Sequence, residues 1–150
     1  MEKTMKRYAI ATAVLSTNLT ACADPIIGDW LGVKATSNDS SSESVTLPYE
    51  SCSEDYTYVD EYGEETLYEG SCSTLSFEMT IGDDLTGNMD MNVDYAVKID
   101  LEVEKKGDSA YTIDLSANGE STQIDCTLSE ASKMNCNMDF GGFNVDFEKQ

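Results

Sequence analysis

The sequence contains no histidine, and its only arginine lies among the first seven residues. Without histidine there is no Ser/His/Asp or Cys/His triad and no imidazole-bound metal, and these are the commonest routes to hydrolysis. Nine basic residues stand against 29 acidic ones, so the formal net charge is −20. A surface this negative repels phosphate backbones, which argues against binding of nucleic acid.

The chain also lacks a glycine-rich phosphate loop and a nucleophile motif. Its carboxylates are so numerous that no two of them form a diagnostic catalytic pair. We therefore expect no enzymatic activity and no cofactor. Some acidic loops offer oxygen ligands for calcium, but none follows the twelve-residue EF-hand spacing, so we expect solvated loops and no metal site. These acids are Asp55, Asp60, Glu61, Glu64, Glu65, Asp83 and Asp84.

The chain begins with basic residues, continues with a short apolar stretch and reaches small residues before Cys22, and this order resembles a bacterial lipoprotein signal peptide. Lys3, Lys6 and Arg7 precede a mostly apolar stretch at residues 8–19, which ends in Leu19-Thr20-Ala21-Cys22. Basic residues hold the start of such a signal in the cytoplasm, and small residues before the cysteine fit the signal peptidase. The resemblance implies that residues 1–21 are removed and that acyl chains on the thiol of Cys22 anchor the protein to a membrane without spanning it.

Two other interpretations of this N-terminus are a plain secretory signal and an N-terminal membrane helix. The apolar stretch is about twelve residues long, whereas a spanning helix needs roughly twenty. In Gram-negative lipoproteins, a residue other than Asp after the acylated cysteine favours delivery to the outer membrane, and here that residue is Ala23. The resemblance therefore implies a lipid-anchored protein of the cell envelope, in the outer membrane, facing the periplasm or the outside.

Cleavage after residue 21 leaves one domain, residues 22–150, with 6 lysines, no arginine and 28 acidic residues, a net charge near −22. Anionic lipid repels such a domain, so membrane contact has to come from the acyl anchor. The whole chain is 40% hydrophobic, which is enough to build a core.

Four cysteines remain after Cys22, and in an exported domain an even number indicates disulfides. Cys126 and Cys136 lie on the apolar side of two alternating runs joined by a short turn. If residue 128 faces residue 134, the constant index sum of a hairpin places Cys126 opposite Cys136, close enough for a disulfide. Cys52–Cys72 then follows by elimination. Neither spacing is C-x-x-C, which argues against a redox centre or a zinc site.

Residues 24–150 alternate between apolar and polar side chains, which is typical of strands with one buried face. Every odd position from Met89 to Val103 is apolar, and this stretch is either one long bent strand or two strands. Turn signals recur about every ten residues, at 82–84, 106–108, Asn118-Gly119 and 141–142. Residues 37–44 read as a loop, and residues 53–71 as a hairpin that turns near Gly63. The pattern predicts an all-β fold, a small antiparallel up-and-down barrel or alternatively a β-sandwich.

Gly28 and Trp30 form a Gly-x-Trp motif at the start of the first strand. This opening resembles that of lipocalins and of bacterial lipocalin-like lipoproteins. The resemblance implies that the tryptophan plugs one end of the barrel and that the opposite mouth admits a small hydrophobic ligand. Lipocalins place an arginine across the tryptophan; residues 22–150 contain none, and Lys149 or Lys133 is the candidate substitute.

Two functions fit such a barrel. A ligand carrier would line its interior with adaptable apolar side chains, and a structural or protein-interaction module would fill the same interior completely. In the second case, the tyrosine-rich acidic segment 54–69, with Tyr56, Tyr58, Tyr62 and Tyr68, is the candidate contact with an unidentified protein partner. The side chains expected to point inward are Met79, Met89, Met91, Met134, Met138, Phe140, Phe143 and Phe147.

Overall fold

The computed structural model describes residues 23–150, so the predicted signal peptide and Cys22 lie outside the described residues. No helix in this part of the chain is long and apolar enough to cross a membrane. The described strands are β1 (Gly28–Ser37), β2 (Ser44–Thr46), β3 (Tyr49–Cys52), β4 (Tyr56–Val59), β5 (Glu65–Tyr68), β6 (Cys72–Ile81), β7 (Thr86–Val93), β8 (Tyr95–Lys105), β9 (Ala110–Ala117), β10 (Glu120–Glu130), β11 (Lys133–Met138) and β12 (Phe143–Lys149), with a 3-10 helix at Asp139–Gly141.

Eight strands form a closed antiparallel barrel. Strands β6 to β12 follow one another as a meander, and β1 pairs with β12 on one side and with β6 on the other. This arrangement confirms the predicted all-β class and the up-and-down barrel, in preference to a sandwich. The closure leaves no long unpaired edge in the barrel wall.

The alternation along the strands separates the core from the surface. In β8, Ile99, Leu101 and Val103 are buried, and the residues between them are exposed. Five of the eight side chains predicted to point inward are buried, and Met91 and Phe143 are half-buried. The largest side chains that are fully buried are Trp30, Tyr111, Phe77, Phe147, Ile26, Met79, Ile81, Met89, Ile113, Leu115, Ile124 and Met138.

The prediction for Phe140 is wrong, because its side chain is 50% exposed. The strand period ends at Met138, and the 3-10 helix that follows turns Phe140 out of the alternation. Gly142, with φ of 71°, then returns the chain into β12. The sequence predicts a turn at the glycine pair, but the turn begins at residue 139 and so includes Phe140.

The long run from Met89 to Val103 consists of two strands, β7 and β8, that reverse at Asp94. Asp94 has φ of 66°, and Val93 faces Tyr95 across the turn. Because an odd residue pairs with an odd residue, the alternation passes through the reversal unbroken. Val93 and Tyr95 continue the apolar pattern in sequence, yet they lie at the rim of the barrel and are 39% and 72% exposed.

Both disulfides have the predicted pairing. Cys126 lies opposite Cys136 in the β10–β11 hairpin, and this bond is buried inside the barrel. Cys52 lies opposite Cys72, where β3 meets β6, and this bond is exposed. It closes the base of residues 53–71, which we call the hairpin arm. Within the arm, β4 pairs with β5 around a turn at residues 60–64, as predicted.

The seam between β1 and β6 is open over half its length. Gly28–Leu31 of β1 pairs with Glu78–Ile81 of β6, and beyond that point the two strands diverge. Strands β2 and β3 fill the gap, with β2 pairing to β1 and β3 to β6. The strands part at Gly32, where an added Cβ would lie 3.1 Å from both the Cβ and the backbone oxygen of Phe77.

We expect Gly32→Ala to lower the free energy of unfolding by about 1 kcal/mol, because the new methyl group has to displace the backbone of β6 or the buried Leu47. Gly107→Ala is the matched control, since its Cβ would meet only the Cβ of Ala110 at 3.8 Å. Urea unfolding of the two variants provides the measurement. Equal stability of both variants would show that the seam accommodates the added methyl group at residue 32 without strain.

Candidate functional site

The two ends of the barrel carry different loops. The end where β1 starts also carries the β6–β7, β8–β9 and β10–β11 connections, and we call it the closed end. The opposite end carries the β7–β8, β9–β10 and β11–β12 connections and the loop after β1, and we call it the open end. The hairpin arm also leaves the barrel at the open end, where β6 begins.

Residues 24–27 plug the closed end. Ile26 is completely buried, and Trp30 is 1% exposed. The indole Nε1 of Trp30 donates a hydrogen bond of 2.8 Å to the backbone oxygen of Ile26, so the polar edge of the ring is satisfied inside the core. The motif tryptophan and the segment before it therefore form one packed unit.

A lysine completes this unit. The Nζ of Lys149 lies 5.3 Å from the centre of the Trp30 ring and donates to the backbone oxygen of Pro25 at 2.8 Å. Gly28 has φ of 134°, and an added Cβ there would lie 2.6 Å from the Cε of Lys149. Of the two candidate substitutes for the lipocalin arginine, the structure places Lys149 on the tryptophan, whereas Lys133 pairs with Glu130. A cation on an indole face is favourable by about 0.5–1 kcal/mol.

The plug is also tied to the far wall of the barrel. The carboxylate of Asp24 accepts hydrogen bonds from the hydroxyl of Tyr111 at 2.6 Å and from the ammonium of Lys105 at 2.9 Å. Strands β8 and β9, which carry these partners, lie opposite β1 in the barrel. The segment before β1 therefore crosses the whole end. Sequence reasoning missed this contact, because the partners are 81 and 87 residues apart and Tyr111 reads only as an apolar strand residue.

The environment of Asp24 lowers the pKa of its carboxyl group below 3.8. Partial burial acts in the opposite direction, but the hydrogen bonds from Tyr111, Lys105 and the backbone of Ile26 outweigh it. Burial and the same carboxylate raise the pKa of Tyr111. The ionised form of Asp24 is therefore the form that holds the plug in place.

Apolar side chains surround the open end. Half-buried residues line its rim, and two shallow clefts of about 270 Å³ each lie there. One cleft is lined by the side chains of Phe140, Ile99 and Leu115. The other lies between Phe143 and Leu75. The half-buried rim residues are Val45, Leu75, Met91, Val97, Ala117 and Phe143.

The floor of these clefts is a packed core. The ring of Phe143 lies 5.7 Å from that of Phe77, which is completely buried. Below Phe77, large side chains and the disulfide Cys126–Cys136 occupy the interior down to Trp30. No buried side-chain nitrogen or oxygen among residues 23–150 lacks a hydrogen-bond partner. The floor of the open end is therefore apolar, while polar side chains that include Glu43 and Glu120 line the outer walls of the clefts.

The hairpin arm presents tyrosines to solvent. Tyr56 and Tyr68 stack with ring centres 5.0 Å apart and planes 10° apart. Tyr58 is 56% exposed and Tyr62, at the turn, is 86% exposed. The carboxylate of Asp60 accepts the backbone N–H groups of residues 62 and 64, each at 2.9 Å, and so closes the turn.

Three of the acids considered for calcium, Asp55, Asp60 and Asp84, accept hydrogen bonds from their own loops. Asp84 accepts hydrogen bonds from the hydroxyl and the N–H of Thr86, and these lower the pKa of its carboxyl group. Among residues 23–150, the one group of three ligand-type side chains close together is Glu50, Cys52 and Cys72. Both cysteines there are joined in a disulfide, so they offer no thiolate to a metal.

These features define the chain as an eight-stranded antiparallel barrel with one plugged end, one apolar end and an exposed arm. No protein-family model matches the chain, and comparisons with curated proteins and with solved structures found no match. The site is therefore interpreted from its own residues.

We expect Asp24→Ala to destabilise the protein by about 1–3 kcal/mol at pH 7, because the hydroxyl of Tyr111 and the ammonium of Lys105 lose a charged partner. The pKa of Asp24 is lowered in the folded state, so its contribution is present above the unfolded value of about 3.9 and disappears as the pH falls through the folded value. The difference from the parent protein should therefore shrink as the pH falls below about 4.

Urea unfolding at pH 7 and at pH 2.5 measures this difference. Asp108→Ala, in the exposed turn after β8, is the control and should change stability by less than about 0.5 kcal/mol. A difference for Asp24→Ala that stays constant with pH would contradict the assigned role of the ionised carboxylate.

Proposed function

We propose that this protein is a lipid-anchored lipoprotein of the cell envelope whose lipocalin-like barrel binds a small hydrophobic molecule at its open end. The observation that carries the proposal is the difference between the two ends. One end is sealed by Ile26, Trp30 and Lys149, and the other exposes an apolar rim around two clefts. The likeness to lipocalins is supported by Gly28 and Trp30 acting with a cation at the sealed end.

The position of the anchor supports this orientation. Cys22 is bonded to Ala23, which precedes the plug, so acyl chains at Cys22 would tether the closed end to the membrane. Four of the six lysines of residues 22–150 lie at that end, at positions 105, 106, 133 and 149, whereas the arm has none. The open end and the arm would then face away from the lipid, in the outer membrane of a two-membrane cell.

The size of the clefts limits the ligand. Each measures about 270 Å³, slightly below the usual range of about 300–1,000 Å³ for ligand pockets. A small apolar molecule, or one end of a longer chain, fits such a space against Phe140 and Phe143. The alternative function is a structural or protein-interaction module whose packed core binds no ligand.

The anchor is tested by the intact mass of the protein extracted from membranes. We expect a chain that begins at Cys22 and carries acyl chains, and a gain of four hydrogen atoms on reduction of the two disulfides. Cys22→Ser should abolish both the added mass and the membrane association. An unprocessed chain of 150 residues would overturn the proposed localisation.

The ligand site is tested with the soluble Cys22→Ser form and a neutral, environment-sensitive apolar dye. We expect saturable binding at one site. Binding should be about tenfold weaker after Phe140→Ser, because the dye then loses its apolar contact with the half-exposed ring at the cleft. Leu67→Ser is the matched control, since it removes an exposed apolar side chain from the arm. No saturable binding would favour the packed module.

A further inference from the structure

The hairpin arm exposes apolar side chains on both of its faces. In the register of β4 and β5, Tyr56, Tyr58 and Tyr68 share one face, and Val59 and Leu67 share the other. All five side chains are between 46% and 63% exposed. Neither face therefore packs against the barrel, and the arm adds nothing to the core. Several exposed apolar side chains on one small hairpin are typical of interaction surfaces.

The arm is held in shape without these side chains entering a core. Its base is closed by the disulfide Cys52–Cys72 and by the hydrogen bond from the N–H of Ser53 to the oxygen of Ser71, at 2.9 Å. Its tip is closed by the carboxylate of Asp60. An isolated two-stranded hairpin is marginally stable in water, so these closures at both ends keep its surface ordered before any partner binds.

The charges of the arm lack counterions within the described chain. Residues 53–71 contain seven acidic residues and no basic one, and the nearest lysines in the sequence are Lys34 and Lys98. The four ion pairs found among residues 23–150 all lie outside the arm. Exposed tyrosine rings and carboxylates without a basic partner therefore occur together in one ordered hairpin.

We infer that the arm is a docking site for an extended, arginine-containing segment of another polypeptide. Guanidinium groups stack on tyrosine rings and pair with carboxylates, and arginine does both better than lysine because its charged group is planar. In an extended peptide, alternate side chains lie about 6.6 Å apart on one face. Tyr56 and Tyr58 occupy alternate positions of strand β4 and share one face, so the same strand geometry applies to them. An arginine at every second position therefore matches the tyrosine face.

Charge also decides between candidate occupants. A second copy of this chain would bring another seven acidic residues against the arm, and like charges at that density repel. An anionic lipid surface is repelled for the same reason. A basic segment instead gains electrostatic attraction, and the unpaired outer edges of β4 and β5 offer backbone groups to an added strand. The inference goes beyond the proposed function and does not depend on a ligand at the open end.

The test uses the full chain in non-ionic detergent and a synthetic ten-residue peptide of alternating arginine and serine, with binding measured by fluorescence anisotropy. We expect saturable binding that weakens about tenfold after Tyr56→Ser/Tyr58→Ser/Tyr68→Ser. The matching lysine–serine peptide should bind several-fold more weakly than the arginine peptide, because an ammonium group lacks the planar surface that stacks on a ring and the paired donors that bind a carboxylate.

A second variant keeps the tyrosine stack intact. Glu64→Gln/Glu65→Gln/Glu69→Gln removes three charges from the arm and should weaken binding about tenfold. Its matched control, Glu102→Gln/Glu120→Gln/Glu148→Gln, removes three charges from exposed positions on the barrel strands and should leave binding within about twofold.

Three results would overturn the inference. Equal weakening by the two glutamine triples would show that the peptide is attracted by the overall charge and has no site on the arm. Equal affinity for the arginine and lysine peptides would exclude stacking on the tyrosines. An absence of saturable binding by the parent protein, in a sample whose two disulfides are intact by mass, would exclude the site altogether.

Discussion

Strand β1 makes backbone hydrogen bonds along both of its edges, and the rest of the structure depends on this double pairing. On one edge it pairs with β12 and on the other first with β6 and then with β2. The first pairing with β6 closes the barrel, and the later divergence at Gly32 admits residues 44–52 into the wall. These inserted residues end at Cys52. The point at which β1 diverges from β6 therefore determines where the hairpin arm leaves the barrel.

The same strand makes the two ends unequal. The residues before β1 cross the closed end and are held by the Trp30 indole, by Lys149 and by the hydrogen bonds to Asp24. The chain after β1 leaves at the opposite end, where the strands reverse through short turns and leave a rim of half-buried apolar residues. A packed interior joins the two ends, so a small-molecule site in the barrel's interior is confined to the rim. The unequal ends also suit a protein tethered at one of them.

The distribution of charge follows the same axis. Two of the four lysines at the closed end contact Asp24, Pro25 and the Trp30 ring, whereas all charged residues of the arm at the open end are acidic. A large negative charge favours solubility and weakens compactness through self-repulsion. Of the six lysines in residues 23–150, Lys105 and Lys149 secure the plug, and most of the acidic side chains face solvent.

The sequence by itself determined the all-β class, most turns, the pairing of Cys126 with Cys136 and the hairpin at residues 53–71, because each of these depends on neighbouring residues and on a period of two. The reversal at Asp94 was invisible, since an odd residue pairs with an odd residue across it and the alternation continues. Phe140 was misplaced because the period ends before it. Only the tertiary structure decided the closure of β1 on β6, the choice of Lys149 over Lys133 and the contact of Asp24 with Tyr111. These join residues that are distant in sequence, and local periodicity specifies which face a side chain occupies but not which distant strand lies beside it.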